Sequence, residues 1–496
     1  MGARTLLIGL DGQNESLIDA QIAVGATPQL ASLARALDRV VVENDPGLGD
    51  GSFWPAAATG GDPSRHGRYF MVQFDPTTYE PYNFDESRHF RSTALWDALD
   101  AEGRRVCVID WPRGPFGKIA NGVLLDNWLQ HDPPSPARSF PEALARDVVE
   151  RYGADPFGAG LHQHTLESGE AVKWAIETCR ARIAAKTRFC VDQLRGGEWD
   201  LFAPVFSEPH DLGHYAFHLH DPDHPKFDPV LASVGDPLRE ICLALDRALA
   251  EIIAAAGDDC EVMMLTGPGM APLVTVNGVM ELIARRLDLG LPAEETPVAK
   301  AREAYRSAIP SPIRGALSPI KRFILGEPKN PEYRRRRFFA VPGSDHAGCI
   351  RVNVKGRERD GTVSPGADYD RLIETIFRDF SEIRDADTGE PVVGDIVRTR
   401  QIYRGPAAAV LPDLFIPWRR ERPFRRVASP KIGVIDVPER KMRTGDHTPY
   451  GGFWARRERL ASLATGGPLR PHGLTGAILA SARRQSASGY CAAKNG

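Results

Sequence analysis

The sequence predicts an α/β fold, with a mainly parallel central sheet and helices on both of its faces. Three observations lead there. Short continuous apolar runs recur through the first 290 residues, at 5–10 (TLLIGL), 201–206 and 261–265 (EVMML). Runs of this length suit strands that are buried on both faces. Longer stretches with apolar residues at helical spacing lie between them, and strand–helix alternation implies crossovers between parallel strands. Two of the runs also stop abruptly at chemically active residues, Asp11-Gly12 after the first and a histidine cluster after 201–206. The carboxyl edge of an open α/β sheet is where ligands sit.

Taken in order, a helix is expected over 16–23. Thr27-Pro28 offers a cap and a first helical position for a second helix to residue 37. Residues 39–43 (RVVVE) read as a strand, and 45–52 (DPGLGDGS) as a glycine-rich loop. A helix over 93–102 precedes a strand at 106–109 that ends at Asp110, and 130–142 are proline-rich and irregular. Helical patterns cover 141–152, 168–195 and 238–256. Residues 290–340 break the rhythm and are expected to form a cap or insertion. The arginines at 334–337 read there as a solvated or substrate-covering run. Regular structure is expected again at 350–354, 369–381 and 414–418. The expected organisation is one domain over 1–485 with a disordered tail at 486–496.

Bulk charge excludes some partners. The 496 residues carry 62 basic and 65 acidic side chains, a net charge of −3. No strong field attracts nucleic acid or an anionic membrane. No apolar run approaches the roughly 18 residues that span a bilayer, and the first residues lack the apolar core of a signal peptide. The expectation is a cytoplasmic protein that acts on a small anionic molecule, with neither nucleic acid nor membrane as partner; nothing indicates its oligomeric state. The seven cysteines are scattered and form no C-x-x-C pair, which argues against a disulfide framework or a thiolate zinc site.

Four stretches could carry chemistry. Asp11 ends the first strand, where it is a ligand or a turn former. In the loop Asp50-Gly51-Ser52, Ser52 is a nucleophile if a base or metal activates it, and otherwise a helix cap. Residues 206–220 (FSEPHDLGHYAFHLH) hold four of the chain's 13 histidines. There His210 and His214 are spaced i, i+4 and on a helical turn could chelate one ion. Asp211 with His214 is the competing pair, while His218 and His220 suit a solvated face. Near the C-terminus, His447 lies between glycine turns in TGDHTPYGG, a setting suited to reaching into a site.

Together these stretches resemble the type I phosphodiesterase/nucleotide pyrophosphatase branch of the alkaline phosphatase superfamily. LLIGLDG is similar to the family's first strand and metal-binding Asp, here Asp11. WPAAATGGDPSRHG resembles the segment after its nucleophile, SEPHDLGH its E-P-D-x-x-x-H metal motif, and GDHTPYGGF its distal histidine motif, here His447. The resemblance implies an alkaline-phosphatase-like fold with inserted cap segments. The departures are specific. The family's Thr or Ser nucleophile position is Asp50, with Ser52 the nearest hydroxyl. The Asp of E-P-D is His210, and the Asp-His of strand–S-D-H-G-M is Gly267-Pro268. Asp345-His346 is a substitute pair in a different setting.

The resemblance therefore implies a divalent metal at His210, His214 and His447. Asp11, with Asp50 or Ser52, is what remains of a second, weakened position. Zinc suits a three-imidazole set, activates water near neutral pH and polarises an anionic oxygen. The expected function is a metal-dependent hydrolase or group-transfer enzyme for a phospho- or sulfo-ester or a related anionic small molecule, with one or two ions. The alternative is a repurposed relative that binds a ligand or serves a biosynthetic step without hydrolysis.

Overall fold

Eight strands form the central sheet in a computed structural model that describes residues 2–129, 136–158, 160–161, 164–273, 277–290, 331–437, 443–463 and 467–484. Their order across the sheet is Asp38–Glu43, Tyr450–Ala455, Glu261–Thr266, Gly2–Leu10, Glu198–Phe206, Val106–Ile109, Gly122–Asp126 and Arg138–Phe140. The five strands from Glu261–Thr266 to Gly122–Asp126 pair in parallel. Tyr450–Ala455 runs antiparallel between its two neighbours, and Arg138–Phe140 is an antiparallel edge. This is the mainly parallel α/β sheet that the apolar runs predict.

Both faces are covered because successive side chains of a strand point to opposite sides. Leu6, Ile8 and Leu10 enter one core, and Leu7 between them enters the other. The first core is shared with helices Gly169–Gly196, Pro237–Ala256 and Glu208–His220, the second with Phe53–Thr59, Leu95–Ala101 and Leu474–Ala482. Asp236 caps Pro237–Ala256 by accepting from the Leu238 and Arg239 amides. Thr27 stands at the N-cap of Pro28–Ala36 but makes no side-chain cap bond.

Most of the histidine stretch is helical. Glu208–His220 is a helix that starts two residues after its strand. Pro209 fixes a helical φ in the first turn, where its missing N–H costs nothing. Beyond the sheet, residues 331–437 build a four-stranded antiparallel sheet in the order Phe338–Val341, Ala347–Val352, Leu414–Pro417, Val397–Arg398. The amphipathic helix Ala367–Ser381 contributes to the core of this region. Of the expected cap at 290–340, residues 291–330 lie outside the described residues, as do the tail at 486–496 and residues 130–135. The arginine run is not simply solvated. Arg336 is 1% exposed and pairs with Glu281 and Asp288, and Arg337 binds Asp288 at 2.8 Å. Carboxylates of the neighbouring helix Met280–Leu289 hold these guanidinium groups where the chain enters its next strand.

Candidate metal centre

Strand register sets the level of the site. Leu10 pairs with Phe206 on one side and with Thr266 on the other. Asp11, Ser207 and Gly267 therefore leave the sheet side by side at its carboxyl edge. The Asp11 amide donates to the Phe206 carbonyl at 2.8 Å, and the Gly267 amide to that of Leu10 at 3.1 Å. Gly12 turns the chain with φ +74°, and a Cβ there would lie 2.6 Å from the His210 Cα. Only glycine lets this turn approach the helix so closely.

His210, His214 and His447 converge at that edge. All three are buried, and each offers a ligand atom within 4.8 Å of the others. Their ring centroids are 4.5 to 4.9 Å apart. His210 and His214 share the helix face predicted by their spacing. His447 arrives on Gly445–His447, a short strand paired with Met270–Pro272. Close packing of backbones makes this possible, since a Cβ on Gly445 would lie 2.1 Å from the Gly213 carbonyl oxygen. His214 Nδ1 donates to the Gly445 carbonyl at 2.9 Å, and His447 Nδ1 to the Pro268 carbonyl at 2.8 Å. These bonds fix the tautomers and present Nε2 as the coordinating atom. Burial, followed by Arg443 and the neighbouring imidazoles, pushes His214 well below its usual titration range. The ring is neutral, as a ligand must be. The donor set fits a zinc-like ion.

A polar network lies behind the ligands. Asp446 Oδ1 is 3.9 Å from His214 Nδ1, and Oδ2 is 3.3 Å from His346 Nε2. Burial alone would raise the Asp446 carboxyl, but His346, then His214 and His447, hold it well below the usual range. Arg420 donates to the His447 carbonyl and to His346 Nδ1, the latter at 3.0 Å. Arg443 reaches Asp345 at 3.4 Å. Asp345-His346 thus borders the centre through Asp446 and Arg443, and neither residue joins the histidine cluster. Asp446, Arg420 and Arg443 were not singled out in the sequence, although Asp446 directly precedes His447.

The other candidates are distributed as follows. Asp211 turns away from the cluster and pairs with Arg182. His218 Nδ1 meets the Thr444 hydroxyl at 3.1 Å, and His220 Nδ1 donates to Asp236 at 2.8 Å. Asp50 opens a 3-10 turn, Asp50–Ser52, and only its backbone is among the described parts of the chain. Ser52 is fully buried at the N-cap of Phe53–Thr59 without a cap bond. Its hydroxyl is 3.5 Å from Asn44 Oδ1. The carboxylate of Asp11 accepts from the Trp54 indole at 2.7 Å and lies 3.2 Å from His210 Nδ1. Burial would raise its pKa, but His210, His447 and the indole N–H lower it. Gly267-Pro268 brings no ligating side chain, only the Pro268 carbonyl on His447. The six described cysteines are all buried and unpaired by disulfides.

Residues 5–312 match the family model described as type I phosphodiesterase / nucleotide pyrophosphatase, more than half of the chain. The chain belongs to that family. It stands among the hydrolases of the alkaline phosphatase superfamily. As a type I phosphodiesterase relative it is also similar to solved structures. Phosphonoacetate hydrolase from Sinorhizobium meliloti 1021, in complex with phosphonoformate, aligns over 96% of this chain and 95% of that one at 14% identity, with a TM-score of 0.53. An inactive variant of murine ectonucleotide pyrophosphatase / phosphodiesterase 5, in complex with AMP, aligns over 97% of this chain and 95% of that one at 12% identity, with a TM-score of 0.49. No curated protein matches the sequence significantly. Among the described residues, no helix is long and apolar enough to cross a membrane.

Proposed function

We propose that the chain is a metal-dependent hydrolase of a small anionic ester, a phosphodiester or a related phospho- or sulfo-ester. The observation that carries this reading is the buried cluster of His210, His214 and His447 at the carboxyl edge of a sheet of this family. These three would hold the ion, zinc by its donor set, with Asp11 against His210. When bound there, the metal would supply a Lewis acid for the ester oxygen and an activated water. Ser52 is the candidate hydroxyl nucleophile, and Asp50, two residues earlier in the chain at the family's nucleophile position, the second catalytic candidate. Substrate is expected to enter from the cytoplasm, with neither nucleic acid nor membrane involved.

Metal analysis joined to an ester panel tests this. The protein should retain a divalent ion through desalting and hydrolyse at least one of a p-nitrophenyl phosphate, phosphodiester, phosphonate or sulfate ester. His214→Ala should lose ion and turnover together. Full turnover in a metal-free protein would sink the proposal. Ser52→Ala should lower kcat at least about 100-fold, and unchanged kcat would remove the hydroxyl from the mechanism.

Gly267-Pro268, together with the indole on Asp11, favours one second reading: a relative that binds an anionic ligand without hydrolysing it. Retained metal, silence across the panel and a ligand-dependent rise in Tm would select it.

A further inference from the structure

The space beside Asp11 is where a second ion of the family pattern would need ligands from the residues after strand Glu261–Thr266. Gly267 stands there, and a Cβ on it would come within 2.5 Å of Asp11 Oδ1 and 3.0 Å of Trp54 Nε1. The space is already filled by the Trp54 indole, whose N–H donates to Asp11 Oδ1 at 2.7 Å. The indole is held firmly. Trp111 packs edge-on to it with centroids 5.2 Å apart, and the Trp111 N–H donates to the Trp54 carbonyl at 3.0 Å. Gly9 makes the room, since a Cβ there would lie 2.9 Å from the far end of the indole. Trp54 is 2% exposed and belongs to the core on that face of the sheet. Vacating the position would open that core.

The second oxygen of Asp11 has a different task. Oδ2 lies 3.2 Å from His210 Nδ1. A carboxylate on one imidazole nitrogen fixes the ring and raises the basicity of the other nitrogen, the arrangement that supports histidine ligands in metal sites. His214 and His447 receive the same support from the Gly445 and Pro268 carbonyls. Each Nδ1 therefore faces an oxygen: a carbonyl that His214 and His447 each donate to, and for His210 alone an anion, at 3.2 Å.

We infer that this chain binds a single metal ion, that the Trp54 indole has replaced the second, and that Asp11 is a positioning residue for His210 rather than a ligand. The inference rests on the proposed metal-dependent function. It concerns the number of ions and the role of Asp11, and neither follows from that function.

The experiment loads the full chain with Zn²⁺, desalts it and counts metal per chain by mass spectrometry. One ion is expected. Two ions would overturn the inference and leave the proposed function standing, whereas none would overturn both. Zn²⁺ affinity is then measured by competition with a chromophoric chelator for wild type and Asp11→Asn. The variant should keep one site and bind about 10–100-fold more weakly, with a changed visible spectrum when Co²⁺ replaces zinc. Trp54→Phe, which keeps an aromatic ring in the core but removes the N–H, should still bind one ion. Unchanged affinity in Asp11→Asn, or a second ion in the wild type that this variant loses, would show that Asp11 does not act through His210.

Discussion

Arg182 reaches from helix Gly169–Gly196 into a ring of carboxylates directly behind the histidine helix. It is 1% exposed and pairs with Asp211, with Glu208 at 3.5 Å and with Asp155 at 3.6 Å. Burial penalises its charge, but the three carboxylates more than compensate and raise its pKa. Removing one partner of a buried pair leaves the other without compensation. Arg182→Met is therefore expected to cost about 3–5 kcal/mol, read as a lower midpoint in guanidinium unfolding of the metal-free protein. An unchanged midpoint would show that the carboxylates take up protons without penalty. At this scale the sequence was partly readable. Histidine is scarce, so His210, His214 and His447 stand out by type and spacing. Asp211, their local rival, could be dismissed only once Arg182, 29 residues upstream, was seen beside it. Trp54 left no signal, because an indole that donates to a carboxylate has no characteristic spacing and reads as core.

Elements meet at the site through glycine. The Gly445–His447 strand lies so close to helix Glu208–His220 that a Cβ at 445 would sit 2.1 Å from the Gly213 carbonyl oxygen. That oxygen is backbone and cannot rotate away. Gly445→Ala should displace the strand, lengthen the bond between His214 and the Gly445 carbonyl and pull His447 off the cluster. The expected result is at least a tenfold loss of Zn²⁺ affinity with far-UV circular dichroism retained; wild-type affinity would show that the helix yields instead. Element types in the sheet domain were readable because buried strands and amphipathic helices differ in period. The helical state of 208–220 was less clear, since its histidines sit on both sides and blur the apolar stripe. The pairing of Gly445–His447 with Met270–Pro272 joins segments that lie about 175 residues apart, and local pattern carries no trace of it.

For the whole molecule, acid is the revealing stress. His66 is buried, accepts from the Arg68 amide and is pushed down to about 3, mainly by burial and then by Arg68. His218 is lowered to about 4, again mainly by burial. Their unfolded forms titrate near 6.5, so the unfolded chain binds protons that the fold refuses, and stability falls as pH drops below 6.5. His66 alone should contribute a slope of up to about 1.4 kcal/mol per pH unit. His472, raised chiefly by the Asp45 carboxylate 3.6 Å away, works the other way: its contribution is full in acid and fades as pH rises through its folded pKa. Urea unfolding of metal-free protein from pH 7 to 4.5 should show net loss, with a shallower slope in His66→Gln; a flat profile would contradict the buried neutral rings. The central sheet was readable at this scale, whereas of the second antiparallel sheet only the segments expected at 350–354 and 414–418 were, because its other strands are short and its strands pair across long loops. The placement of Tyr450–Ala455 between Asp38–Glu43 and Glu261–Thr266 has a consequence for biosynthesis. As the chain leaves the ribosome, strand Asp38–Glu43 waits for roughly 400 residues before its sheet partner exists, and His447 emerges just ahead of that partner. An ion held by the three histidines would thus be captured only after residue 447 is made, and a nascent chain stalled before residue 450 would expose an open sheet edge of the kind chaperones shield.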